Sequence, residues 1–226
     1  MSAAEVLGKG LYRVPDAARL IDVNASTLRR WLQGYSYTYL GKVRETGPRW
    51  ESEHGTDSHI IGFLDLIEAR VIAKFRREGV QWPTLAAAAE EARKRFDVSH
   101  PFATLRLQTD GRNVILEVAK NTGDVALEDI VTSQKQFDPF LRPLLVDLKF
   151  EKDVAASWWP LGKEREVVLD PRRSFGKPII NTYGVSTSVL ADAVRAEGAI
   201  LPVSRWFNVS EQAVKDAVDF EKKIAA

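Results

Sequence analysis

The chain has 226 residues, 45% of them hydrophobic, enough to bury a substantial core in one large domain or two small ones, and two are expected. Thirty-two basic residues nearly cancel 31 acidic ones, leaving a formal net charge of +1, so nucleic acid would be engaged through a local patch and not by the molecule as a whole. The lack of any cysteine excludes disulfides, thiolate metal sites, iron–sulfur clusters and cysteine nucleophiles.

Met1 to Gly10 shows no charged-then-apolar signal pattern, and no apolar run approaches the roughly 20 residues that span a bilayer, so a cytoplasmic protein without membrane association is expected. Pro15 suits the first turn of a short helix running to Ile21. Asp22-Val23-Asn24 then supplies turn chemistry, Asn24 or Ser26 can cap orphan amides, and a second helix continues through Leu32 until Gly34 stops it. Two short helices with a tight turn predict a helix-turn-helix over Val14 to Leu32. Val14, Ala18, Ile21, Val23, Leu28 and Leu32 fall on a shared apolar face, which turns Ser26, Thr27, Arg29 and Arg30 outward.

From Tyr35 to His59, aromatic and β-branched residues punctuated by glycines predict a small hairpin, a wing. Ile60 to Glu78 has the helical period and ends at Gly79, and Thr84 is placed to cap a helix from Leu85 to Phe96. Ala103–Leu107 and Val114–Val118, flanking Asp110-Gly111-Arg112-Asn113, read as a β-hairpin. Pro139 to Leu148 reads as a short helix and Lys163 to Leu169 as a strand. After a turn-rich Asp170-to-Ile180 segment, Ser186 or Thr187 opens a helix to Ala196, Pro202 opens one to Phe207, and Ser210 caps a last one to about Lys223. The expected fold is mainly α with small β elements (α+β), divided into an N-terminal domain 1–100, a connector 101–162 with a β-hairpin, and a C-terminal helical domain 163–226.

Seven basic residues stand against three acidic ones within Leu11 to Trp50, so positive charge concentrates around the helix-turn-helix. Arg13, Asn24, Ser26, Thr27, Arg29, Arg30, Lys42, Arg44 and Arg49 are the candidate DNA contacts. The outward helix residues would reach base edges, and the hairpin cations would track the backbone or enter the minor groove. His54 and His59 with Glu51, Glu53 or Asp57 hold metal-competent atoms but at no recognisable ligand spacing, and a flexible loop tip is the reading preferred. Phosphate-loop, dinucleotide and nucleophile-elbow motifs are missing, so neither catalysis nor a cofactor is expected. Trp158-Trp159 can serve a protein interface or a core equally well.

Asp170-Pro171, Gly176-Lys177-Pro178-Ile179-Ile180, Val185-Ser186-Thr187 and the helices to Phe220 resemble the bacterial and archaeal domain-of-unknown-function family 433. Asn181-Thr182-Tyr183-Gly184 stands where that family usually has Gly-Thr-Arg. The first hundred residues resemble the MerR-type winged helix in the form fused upstream of that domain in VapB-like antitoxins. The resemblance implies operator DNA, a PIN-like or Mut7-C-like ribonuclease toxin with an acidic metal site, and a second copy of the chain as partners. It also implies autorepression, with the C-terminal domain serving dimerisation and toxin binding. By charge complementarity the toxin would be met by Arg172, Arg173 and Lys177, with Trp158 and Trp159 as anchors. The alternative reading is a MerR-like transcriptional regulator that answers a small-molecule effector through its C-terminal region.

Overall fold

In a computed structural model, which describes residues 8–50, 52–55, 59–132 and 134–225, helices dominate and the strands are short, a mainly α architecture with small β elements. The chain divides into two compact units, one of Arg13–Leu145 with Phe150–Ala155, the other of Met1–Tyr12, Val146–Lys149 and Ala156–Ala226.

Strand β1 (Tyr12–Arg13) runs into α1 (Val14–Leu20), which has its proline in the first turn. The Val23 amide reaches back to the Ala18 carbonyl at 2.9 Å, closing the turn that leads to α2 (Ala25–Gln33). Val14, Ala17, Ala18, Ile21, Leu28, Trp31 and Leu32 are buried, which gives the two helices one apolar seam. The hairpin follows as β2 (Tyr35–Tyr39) and β3 (Lys42–Thr46), in antiparallel register from Tyr35↔Thr46 to Tyr39↔Lys42. After β4 (Ile60–Ile61), helix α3 (Phe63–Arg77) buries Phe63, Leu66, Ile67, Val71, Ile72 and Phe75 and forms the spine of this unit.

Helix α4 (Trp82–Phe96) starts a turn earlier than Thr84 suggested. Its entry is capped from a distance: Asp124 accepts from the Gln81 amide at 2.9 Å and from the Thr84 hydroxyl at 2.8 Å. A side chain 43 positions away thus satisfies an amide at the helix start that local sequence leaves open.

The expected hairpin around Asp110–Asn113 is corrected by the structure. This stretch is helical: α5 (Arg106–Thr109) and α6 (Gly111–Thr122), followed by α7 (Val125–Thr132) and α8 (Gln134–Leu145). Val114, Ile115, Val118 and Ala119 repeat at one and four positions, so helical winding puts all four on a single buried face, with Val114 against Ala92 and Phe96 of α4. That burial outweighs the strand preference of β-branched residues. Asp110-Gly111, read as a hairpin turn, is the junction between two helices.

A hairpin does occur further on, as β5 (Leu148–Glu151) and β6 (Val154–Trp158). In the second unit the strand expected over Lys163–Leu169 is reduced to β7 (Val167–Val168), which pairs antiparallel with β8 (Ile179–Ile180). Helices α9 (Thr187–Glu197), α10 (Ile200–Phe207) and α11 (Glu211–Ala225) then bury Leu190, Val203, Val214, Ala217 and Phe220. Among the described residues, no helix is long and apolar enough to cross a membrane.

Candidate nucleic-acid interface

Asn24 adopts the extended conformation of an N-cap, and its side-chain oxygen accepts from the Ser26 amide at 2.9 Å and the Ser26 hydroxyl at 2.7 Å. Both residues are therefore engaged in starting α2, and their predicted role at a base edge would have to coexist with that cap. Burial of Leu28, Trp31 and Leu32 fixes the opposite face of the helix. Arg29 and Arg30 are exposed on it, and among the described residues neither joins an ion pair. Arg13 differs, because its guanidinium is held 2.8 Å from Asp16, which also pairs with Arg19.

The hairpin is exposed along both strands apart from Thr46. Alternation and register place Tyr35, Tyr37 and Tyr39 on one face together with Arg44 and Lys42, the direct cross-strand partners of Tyr37 and Tyr39. Sequence reasoning selected Lys42 and Arg44 but passed over the tyrosines, although their period of two was visible in Tyr35-Ser36-Tyr37-Thr38-Tyr39. Phenol hydroxyls and cations on one exposed face offer both hydrogen bonds and charge to a phosphate backbone.

Between α2, the hairpin, α3 and α4 lies an open cleft of about 550 Å³, walled by Thr27, Arg30, Tyr35, Arg49, Arg76 and Trp82 among others. Arg30 lies over the Tyr35 ring at 5.6 Å, and Arg49 and Arg76 over the Trp82 ring at 5.1 and 5.5 Å. Trp31 meets Trp82 edge-on with centroids 5.1 Å apart. Asp22 is the one carboxylate on the wall among the described residues, and Arg77 pairs with it at 2.8 Å. Arg76 and Arg77 lie on a helix read in the sequence only from its apolar period, and Trp82 falls between the two helices as read there, so nothing local marked them.

The metal reading at His54 and His59 is not assembled among the described residues; Glu51 and Asp57 lie outside them. Glu53 instead falls beside Asp65 and His100, with ligand-type atoms all within 4.8 Å of one another. Asp65 there accepts from the Ser52 hydroxyl and from the Glu53 and Gly62 amides at 2.7 to 3.0 Å, which accounts for it as a structural acceptor.

In the other unit, Trp158 is buried, its amide bonded to the Leu169 carbonyl at 2.9 Å, while Trp159 is half-buried. Arg172 pairs with Asp170 at 3.2 Å and Arg173 donates to the Asn181 side chain and carbonyl at 3.0 and 2.7 Å. Lys177 is exposed on the same turn.

This geometry defines a protein with a helix-turn-helix in its first unit, and residues 10–88 match the family model described as "Putative DNA-binding HTH domain". The chain is also similar to a curated relative: it is 28% identical, over 92% of each chain, to the "Putative antitoxin VapB45" of Mycobacterium tuberculosis. The crystal structure of Rv2018 from the same organism superposes with a TM-score of 0.70 at 25% identity, covering 92% of this chain and 97% of that one.

Proposed function

We propose that the chain is the DNA-binding antitoxin of a type II toxin-antitoxin pair, neutralising a PIN-like ribonuclease toxin and repressing its own operon as a homodimer. The observation that carries this reading is the exposed Arg29–Arg30 face of a capped helix beside a cationic hairpin, in a chain similar to a VapB-named antitoxin over 92% of its length. In this reading α1 and α2 with the following hairpin form a MerR-like winged helix. Arg29, Arg30, Ser26, Thr27 and Asn24 face base edges, while Arg13, Lys42, Arg44 and Arg49 hold phosphates. Residues 163–226 pair the subunits and meet the toxin through Arg172, Arg173 and Lys177, with Trp159 as the more accessible of the two tryptophans. Basic side chains suit a nuclease whose metal site is acidic. No enzymatic activity is proposed.

The test has two arms. Electrophoretic mobility shift with DNA upstream of the gene should give a specific complex that Arg29→Ala and Arg30→Ala each weaken by about 1–3 kcal/mol. Unchanged affinity in both variants rejects the recognition helix. Co-expression with the adjacent gene should give co-purification and rescue of growth, and a failure of both rejects the antitoxin assignment while leaving DNA binding intact.

A further inference from the structure

We propose that the cleft between α2, the hairpin and the α3–α4 junction binds a free nucleoside phosphate, and that its occupancy lowers the affinity of the neighbouring helix for DNA. The second half of this inference rests on the DNA-binding reading above, and the first does not.

Four guanidinium groups, from Arg30, Arg49, Arg76 and Arg77, share one wall with a single carboxylate, which Arg77 already takes. The wall is thus strongly cationic in a chain whose overall charge is close to zero, and an anion entering it relieves the crowding. The arginines are also braced in place. Arg76 donates to the Val80 carbonyl and stacks on Trp82, Arg49 stacks on the same ring, and Arg30 rests on Tyr35. Planar forks held in fixed positions lose little freedom on binding and match the bidentate geometry of phosphate oxygens.

The aromatic groups distinguish the occupant from duplex DNA. A duplex presents its phosphates outward and keeps its bases stacked inside, so it has nothing to lay against Tyr35 or the arginine planes within a cleft. A nucleoside phosphate carries both parts, an anion for the arginines and an unstacked ring for the flat surfaces. A volume of about 550 Å³ lies within the usual range for small-molecule sites. Thr27 and Arg30 belong to the helix proposed to read DNA, so a phosphate bound there competes with the duplex for the Arg30 charge.

The experiment is isothermal titration of the full chain, without DNA, using ADP and GDP as probes beside inorganic phosphate and adenosine. Saturable one-site binding of a nucleotide is expected, weakened about tenfold by Arg76→Gln and also by Tyr35→Ala, an exposed position whose loss leaves the core intact. In mobility shifts, nucleotide near the parent's dissociation constant should weaken operator binding of the parent chain and have a much smaller effect on that of Arg76→Gln, whose site stays mostly empty at that concentration. No nucleotide binding up to millimolar concentration overturns the proposal, as does binding indifferent to both variants. Phosphate binding as tightly as ADP removes the nucleoside from it, and adenosine doing so removes the anion; either result overturns it. Failure of all DNA binding would sink the earlier reading and leave the titration result standing.

Discussion

The imidazole Nε2 of His100 lies 3.2 Å from Asp65 Oδ1 across 35 residues of sequence, with both side chains buried. Burial pushes the His100 pKa down, but the hydrogen bond to Asp65 and the charges of Glu68, Asp65 and Glu53 carry it above its usual value. Burial likewise pushes Asp65 up, and the hydrogen bonds from His100, Ser52 and the Gly62 amide hold it below the usual carboxylate range. Glu68, one turn along α3, is fully buried, where the charges of His100 and Arg93 and the Phe102 backbone favour its ionised form. Burial pushes it up to about 7 against the pull of His100 and Arg93.

These shifts set the pH dependence of stability. His100 and Glu68 both have folded-state values above their unfolded ones. Each contributes stability that is complete below the unfolded value and is lost as pH rises through the folded one. Asp65, lowered, acts oppositely and loses its contribution only in acid. For Glu68 the window runs from its ordinary 4.5 to about 7, and ionising it in the folded chain costs on the order of 3 kcal/mol. The melting temperature should therefore fall between pH 5 and pH 8, and Glu68→Gln should flatten that slope. Parallel melting curves for parent and variant would refute the assignment.

Asp216 is the corresponding buried acid of the other unit. It accepts from Arg165 at 2.6 Å, from the Glu166 amide at 2.8 Å and from Gln212 at 2.7 Å. Asp216→Ala strands the Glu166 amide and leaves Arg165 only its second carboxylate, Asp219 at 2.7 Å, so a loss of about 1–3 kcal/mol is expected. Chemical denaturation gives the number. A loss below about 1 kcal/mol would mean that water replaces the carboxylate.

Gly176 connects the turn legible in the sequence with a contact that was not. Its φ is +82°, and the buried Tyr12 hydroxyl donates to its carbonyl at 2.9 Å. A Cβ at this position would sit 2.3 Å from the Tyr12 oxygen. Gly176→Ala should therefore cost about 1–3 kcal/mol, combining backbone strain with displacement of a packed phenol, whereas Tyr12→Phe should cost about 1 kcal/mol for the hydrogen bond alone. Equal small losses in the two variants would show that the turn relaxes freely.

What the sequence disclosed follows from the range of the interactions involved. Asn24, Gly34 and the apolar seam of α1 and α2 act within a few residues, so capping and periodicity sufficed to place the helix-turn-helix. The residues from 103 to 118 misled because Val114, Ile115 and Val118 fit a strand locally, and only packing on α4 makes them helical. The Asp124 cap of α4, the His100–Asp65 pair and the Arg76–Trp82 stack each join positions distant in sequence or on different elements, with no local residue pattern to announce them.

Gly34 tests whether the hairpin must be aimed by its hinge. It leaves α2 at φ +74° and ψ −171°, a region open to glycine and closed to side-chain-bearing residues. The Cβ of an alanine would stand 2.1 Å from the Thr46 carbonyl oxygen, and that backbone atom belongs to the paired strand β3, which has no flexible end to move aside. Strand and hinge must shift together, displacing Tyr37, Tyr39, Lys42 and Arg44 relative to α2. Gly34→Ala should then reduce DNA affinity at least tenfold while the core under α3 stays folded, because the hairpin is exposed and contributes little to that core. Circular dichroism melts and mobility shifts on the same preparation separate the two effects. Full DNA affinity in a folded Gly34→Ala protein would show that the hairpin face has no part in binding.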